Sequence, residues 1–240
     1  MELSAKPLLA LASLAALAGC NPPSITDPFG ESGELLALSG GDAGAQSACH
    51  TCHGLNGEGD GGLTPRLAGM ERGYLARQMN FFAEGQRPHA RMHWIARRLD
   101  PQQQDRVSEY YAGMDWSPPA RPATQSCEGA AAQIYHAGDP ARGLASCASC
   151  HGASGEGMGR GNPALAGQPA RYIAAQLEKW RKGERHGDPL GEMRDAARLL
   201  ADAEIAPLAA YAASLHGLPG DPESPAACPP PRRPDPGSGA

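Results

Sequence analysis

Cys49, Cys52 and His53 recur as Cys147, Cys150 and His151, each 98 positions further on (49 to 147), so the pattern C-x-x-C-H occurs twice in one register. The same offset carries Gly54, Gly57 and Gly59 onto Gly152, Gly155 and Gly157, and Pro65 onto Pro163. It carries Leu67-Ala68-Gly69 onto Leu165-Ala166-Gly167, and Tyr74, Gln78, Gly85 and Arg87 onto Tyr172, Gln176, Gly183 and Arg185. So many identities in one register mark an internal duplication. Past Arg185 the second copy is longer by a few residues, near His186 to Gly191, where Gly and Pro signal a loop. Met92 then matches Met193 and Leu99 matches Leu200.

The duplication divides the 240 residues into segments. We expect an export signal at 1–19, a tether at 20–30, a first domain at 31–116, a Pro-rich linker at 117–126, a second domain at 127–218 and a Pro-rich tail at 219–240. The linker, Ser117-Pro118-Pro119-Ala120-Arg121-Pro122, reads as extended and semi-rigid. Within each copy the pattern is helical and strand-like alternation is nearly absent. A short helix precedes the motif, as at Ala130 to His136, and a Gly-rich loop follows it. Next come a helix near Tyr74 to Glu84 or Ala170 to Lys182, a loop holding the Met, and a terminal helix, Pro101 to Met114 or Asp202 to Leu215. The chain is expected to be all-α: two small domains with separate cores, each wrapped round something. With 31 Gly, 23 Pro and 5% aromatic residues, it is poor in side chains that fill an interior, so a bound apolar body would supply the missing volume.

The motif says what that body is. Two thiols three positions apart can add to the two vinyl groups of haem as thioethers, while the adjacent His coordinates the iron. A zinc site would need a second Cys or His pair in each copy, and a thioredoxin-like pair would need a βαβ context. Neither is present in the sequence. Two covalent haem c groups are therefore expected, on Cys49 and Cys52 and on Cys147 and Cys150, with His53 and His151 as proximal iron ligands. The sixth ligands are expected to be Met92 and Met193, which sit at matching positions before the terminal helix. A thioether is soft and weakly basic, and raises the potential relative to a second imidazole. Met158 lies too close to Cys150 to cross the ring, Met114 lies past the terminal helix, and Met70 and Met79 have no counterpart. His89 and His93 flank Met92 as alternative ligands of the first haem.

Cys147-Ala148-Ser149-Cys150-His151-Gly152, followed by Pro163-Ala164-Leu165-Ala166-Gly167-Gln168, Tyr172, Gln176-Leu177, Gly183, Arg185, Met193 and Tyr211, resembles a class I cytochrome c domain of the cytochrome c4 family. The resemblance covers about 31 to 218. It implies tandem cytochrome c domains, each with one haem c and His/Met ligation, passing single electrons in the periplasm. It also implies that the carbonyls of Pro65 and Pro163 accept a hydrogen bond from the proximal imidazoles. The first half departs from the pattern at Met70, where the second has Gln168, and at His50 inside the motif. Tyr74, Tyr172, Arg87 and Arg185 either reach haem propionates or serve packing and solvation. His136, His186 and His216 have no repeat partner and read as ordinary histidines.

The ends complete the reading. Pro7 to Ala18 is an apolar run too short to span a bilayer comfortably, and Leu17-Ala18-Gly19-Cys20 resembles a lipoprotein box, so Cys20 is the expected lipidation site. Of the seven cysteines, Cys127 and Cys228 then remain as a candidate disulfide in an oxidising compartment. A formal charge of −5 with no basic stripe gives no reason to expect nucleic acid as a partner. The leading expectation is a lipid-anchored dihaem carrier, not an enzyme, on the periplasmic side of a bacterial membrane. Its partners would be protein electron donors and acceptors, membrane respiratory complexes among them. The alternatives are a haem subunit of a membrane dehydrogenase or terminal oxidase, and a dihaem peroxidase or thiosulfate-oxidising enzyme with an open site at the first haem.

Overall fold

A computed structural model describes residues 32–117, 129–188 and 190–215. The export signal, Cys20, Cys127, Cys228, His216, nearly all of the linker and the tail lie outside the described residues. The described part holds ten α-helices, five in each half, in the same order. The first half contains α1 (Gly33–Ser39), α2 (His50–His53), α3 (Arg72–Ala83), α4 (Ala90–Ala96) and α5 (Pro101–Ala112). The second contains α6 (Ala130–Ala137), α7 (Ala148–His151), α8 (Ala170–Lys182), α9 (Glu192–Leu199) and α10 (Asp202–Ala213). Strand pairing among the described residues is confined to two single bridges, Asp139 with Leu144 and Met158 with Asn162. The all-α expectation holds.

Local chemistry sets the helix ends. Ser32 Oγ accepts the Leu35 N–H at 3.1 Å to start α1. Before α5, Asp100 Oδ1 accepts the N–H groups of Gln102 and Gln103 at 2.8 Å, Gln103 Oε1 accepts the Asp100 N–H at 2.9 Å, and Pro101 takes the first helical position. At the start of α10, Ala201 has no capping side chain. Glu204 accepts the Ala201 N–H at 2.8 Å instead, and Arg142 holds both Glu204 and Asp139.

In each half the terminal helix is the centre of packing. α5 lies on α1 and α3, with α4 against α3; α10 lies on α6 and α8, with α9 against α8. The first core gathers Leu36, Tyr74, Leu75, Val107 and Tyr111; the second gathers Ile134, Tyr135, Leu177, Trp180 and Leu208. Tyr135 is fully buried and donates its hydroxyl to the Gly152 carbonyl at 2.8 Å.

One sequence expectation needs correction. Met92 and Met193 are in helices, the first turns of α4 and α9, rather than in loops. The short Arg91–Leu99 and Glu192–Leu200 stretches alternate buried and exposed residues with helical period, and Ile95, Ala96 and Leu99, like Ala197 and Leu200, face inward while Trp94 and Leu199 stay exposed. The buried members of the hydrophobic cores stay within their own halves, but buried polar contacts join the two. Gln168, 5% exposed, pairs with the backbone of Arg66 both ways, accepting its N–H at 3.1 Å and donating to its carbonyl at 2.9 Å. Gln168 also donates to Met70 Sδ at 3.2 Å, so the positions that differ between the copies touch one another. The Arg66 guanidinium, 2% exposed, donates to Ala68 of its own half and to Ala166 of the other, and stacks 3.8 Å from the Trp116 ring centre. Trp116 in turn lies against Gly167, whose φ is +67°; a Cβ there would sit 2.0 Å from Trp116 Cζ2.

Candidate haem sites

The C-x-x-C-H motif forms one helical turn in both halves, α2 and α7, so successive side chains fan from one end of a short helix. The following loop is pinned alike in each copy: Gly59 N–H donates to the His53 carbonyl and Gly157 N–H to the His151 carbonyl, both at 2.8 Å. That loop brings Pro65 and Pro163 back over the histidines. His53 Nδ1 lies 2.9 Å from the Pro65 carbonyl and His151 Nδ1 lies 2.8 Å from the Pro163 carbonyl. A carbonyl can only accept, so Nδ1 carries the proton and Nε2 keeps its lone pair. Burial pushes both imidazoles below their ordinary value, which keeps them neutral. It also pushes the Cys49 and Cys147 thiols up to about 11, disfavouring the thiolates that zinc binding or disulfide exchange would use.

A cavity of about 860 Å³ is lined from both halves. Cys49, Cys52, His53 and Met92 reach it from the first half, and Cys147, Cys150, His151 and Met193 from the second. The methionines are aimed by helix starts of different chemistry. His89 Nδ1 accepts the Met92 N–H at 3.2 Å, while Asp188 Oδ2 accepts the Met193 N–H at 2.7 Å. His89, one of the alternative ligands, thus caps α4, and burial lowers its pKa. His93 is absent from the cavity wall and turns its Nδ1 to the Phe82 carbonyl at 2.7 Å. His50 sits 3.3 Å from the Ala37 carbonyl, and His136 Nε2 lies 2.8 Å from the Tyr211 hydroxyl. The His186 N–H donates to the Gln86 carbonyl across the two halves.

Between the pockets lies a cluster with approximate two-fold symmetry. Arg87 donates to Gln78 of its own half at 2.9 Å, and to Tyr172 and Gln176 of the other half at 2.6 and 3.2 Å. Arg185 repeats this with the halves exchanged, donating to Gln176 at 2.9 Å, Gln78 at 3.1 Å and Tyr74 at 3.5 Å. Each guanidinium also faces a repeat-matched ring, Arg87 over Phe82 and Arg185 over Trp180, at 4.6 and 4.7 Å. Burial and the neighbouring Arg87 cation push Arg185 down from its ordinary value. Two buried cations share this cluster, no described carboxylate pairs with either, and Arg185 Nε is without a hydrogen-bond partner. Such a pair is costly unless anionic groups join it. An apolar cavity, neutral thiols, imidazoles with a free Nε2 and uncompensated guanidiniums together fit haem c, whose propionates would supply the missing negative charge. When bound, haem c supplies a one-electron iron couple.

The Gln78 and Gln176 roles, Gln168, Arg66 and Trp116 were not anticipated from sequence. A Gln kept at both copies in an otherwise helix-packing segment was a signal for the first pair. Arg66 gave none, since its repeat partner is Ala164.

The cytochrome c family model matches residues 131–216. The chain is 38% identical over 172 residues to the thiosulfate dehydrogenase electron acceptor of Thiomonas intermedia (strain K12), covering 70% of this chain and 78% of that one. It is 33% identical over 187 residues to cytochrome c4 of Pseudomonas aeruginosa, covering 75% and 92%. The chain belongs to the cytochrome c4 family. Among solved structures, reduced recombinant cytochrome c4 from Pseudomonas stutzeri superposes with a TM-score of 0.64 at 29% identity, covering 75% of this chain and 98% of that one. Thiosulfate dehydrogenase (TsdBA) from Marichromatium purpuratum, in its "as isolated" form, gives 0.66 at 39% identity; the match covers 77% of this chain but 40% of that one. As a member of the cytochrome c4 family, the chain binds two haem c groups covalently through its paired motifs and transfers electrons.

Proposed function

We propose that this dihaem cytochrome accepts electrons from a thiosulfate dehydrogenase while held by lipid on Cys20 at the periplasmic face of a bacterial membrane. The donor reading is carried by the 38% identity to the Thiomonas intermedia electron acceptor and supported by 36% identity, over 187 residues, to the protein of the same name from Stutzerimonas stutzeri (strain A1501). Oxidation of thiosulfate releases electrons that need an acceptor, and two haems can hold one each. The ligand pairs are His53 with Met92 and His151 with Met193, supported by the Nδ1 bonds that leave each Nε2 free and by the reach of both methionines into the cavity. Pro65 and Pro163 fix the imidazole tautomers, His89 and Asp188 fix the methionine-bearing turns, and Arg87 and Arg185 would hold the haem propionates. With both sixth positions filled, neither site keeps room for substrate, so this chain carries electrons and its partner oxidises thiosulfate. A membrane respiratory complex is the onward acceptor. The anchor reading is supported by Leu17-Ala18-Gly19-Cys20, and among the described residues no helix is long and apolar enough to cross a membrane.

The experiment mixes oxidised holoprotein with thiosulfate and a catalytic amount of thiosulfate dehydrogenase in a stopped-flow spectrometer. Reduction of both haems at the turnover rate of the enzyme is expected. No reduction above the enzyme-free control refutes the donor, and full reduction by thiosulfate alone would move the oxidising activity to this chain. Fractionation of Cys20→Ser tests the anchor: release into the soluble fraction is expected, and sedimentation with membranes in high salt refutes it.

A further inference from the structure

Between Glu84 and Asp100 the chain has no acidic residue and four arginines, Arg87, Arg91, Arg97 and Arg98, although its formal charge is −5. Arg87 is buried between the halves, but the other three are exposed on α4 or at its end. Helical spacing sorts the rest of this segment. Ile95, Ala96 and Leu99 turn inward with Met92, whereas Trp94 and Arg98 share the outer face with Arg97 beside them, and the exposed Arg91 stands at the edge of that face, against the haem cavity. Trp94 is 42% exposed, and the Arg98 guanidinium lies 3.7 Å from its ring centre. None of the three exposed arginines forms an ion pair with a described residue. Arg91 donates to the Gln46 carbonyl and Arg98 to the Trp94 carbonyl, so their charges stay uncompensated. The nearest acid in sequence, Asp100, has its Oδ1 committed to the N–H groups that start α5.

The second copy does not share this surface. At matching positions on α9, Glu192 stands for Arg91, Asp195 for Trp94 and Leu199 for Arg98, and only Arg198 keeps the charge of Arg97. Two helices with the same inward task have therefore diverged in charge on their outward faces, basic on α4 and mixed on α9.

We propose that the outer face of α4 is a docking surface for a redox protein with an acidic face, with Trp94 as its apolar anchor and Arg91, Arg97 and Arg98 as its rim. Exposed Trp and Arg are the residues that dominate protein interfaces, and a basic rim around them steers an acidic partner and fixes its register. The position supports this occupant: the inner face of α4 carries Met92 into the first haem pocket, so a protein seated on the outer face is one short helix away from the redox site. The mixed face of α9 gives no such steering, so the two haems meet partners of different charge. This inference rests on electron transfer by the family and not on the identity of the donor.

The test uses holoprotein and reduced flavodoxin, an acidic one-electron donor, as the probe. Stopped-flow rates are compared at low and high ionic strength for the parent, for Arg97→Glu with Arg98→Glu, for Trp94→Ala, and for Glu192→Gln with Asp195→Asn. The parent rate should fall steeply with salt. Reversing the two arginines should cut the low-salt rate by at least about tenfold and flatten its salt dependence, since steering contributes roughly 10- to 1,000-fold to such rates. Trp94→Ala should lower the rate at high salt and keep the salt slope, while the α9 variant should match the parent. Reduction by a small neutral donor monitors fold and potential and should be the same in all four proteins. An unchanged rate in the arginine variant, or an equal change in the α9 variant, overturns the proposal. So does the finding that anionic vesicles bind the parent through these arginines while flavodoxin rates do not respond, because the face would then belong to a membrane. Failure with thiosulfate dehydrogenase alone would count against the proposed donor and leave this surface standing.

Discussion

Replacing Gln168 with Leu keeps a side chain of similar bulk and removes three hydrogen bonds that cross between the halves. The parent amide accepts from the Arg66 N–H at 3.1 Å, donates to the Arg66 carbonyl at 2.9 Å and touches Met70 Sδ at 3.2 Å. After substitution the N–H and carbonyl of Arg66 are left unpaired in a buried site. Each such orphan costs about 1–3 kcal/mol, so Gln168→Leu should destabilise the holoprotein by about 2–6 kcal/mol, neglecting the weak sulfur contact. With a slope of about 4 kcal/mol per molar guanidinium chloride, the midpoint falls by roughly 0.5–1.5 M. The assay is equilibrium unfolding followed by haem absorbance, with Gln102→Leu, at an exposed position, as the control that should stay within about 0.5 kcal/mol of the parent. An unchanged midpoint for Gln168→Leu would refute the claim that this amide holds the two halves together.

Three further outcomes follow from the same structure. Met193→Ala and Met92→Ala should each open the sixth position of one haem, lower its potential and remove the weak sulfur-to-iron band of the ferric protein; a Met92→Ala haem that stays low-spin at the parent potential would reassign the ligand to His89. Gly167→Ala meets both a left-handed backbone and the Trp116 ring, so a loss of about 1–3 kcal/mol is expected in thermal unfolding, and parent-like stability would show that Trp116 does not rest there. Hydrogen bonds and charge from Arg142 hold Asp139 and Glu204 below the ordinary carboxylate values of 3.8 and 4.5. Their contribution is complete above those values and is lost as pH falls through the lower folded ones, so Arg142→Gln should have a lower Tm than the parent at neutral pH and converge on it in acid. Parallel Tm curves would contradict that linkage.

The haem attachment and the all-α fold were legible in the sequence because they rest on local patterns: a motif of fixed spacing, helical periodicity, and a register shared by two copies. The terminal helix beginning at Pro101 was legible in the same way. The contacts between the halves were not legible, because Arg66, Gln168 and Trp116 meet only after the chain has folded across about a hundred residues. A short linker rich in Pro suggested independence, and the buried cluster around Arg87 and Arg185 shows the opposite. The methionine segments read as loops because seven or eight helical residues flanked by Gly and Pro give a weak periodic signal, and their helix starts use His89 and Asp188 at unequal spacing from the methionine. The basic outer face of α4 was obscured by the near balance of charge over the whole chain, since only the three-dimensional sorting separates buried Arg87 from exposed Arg91, Arg97 and Arg98.

The most direct test of the central claim is a coulometric reductive titration of purified holoprotein, monitored by haem absorbance and normalised to protein by amino-acid analysis. Two covalent haems serving as one-electron sites predict uptake of two electrons per chain, with the haem bands changing in step. Uptake of one electron, or haem that leaves the chain on acid extraction, would contradict the account.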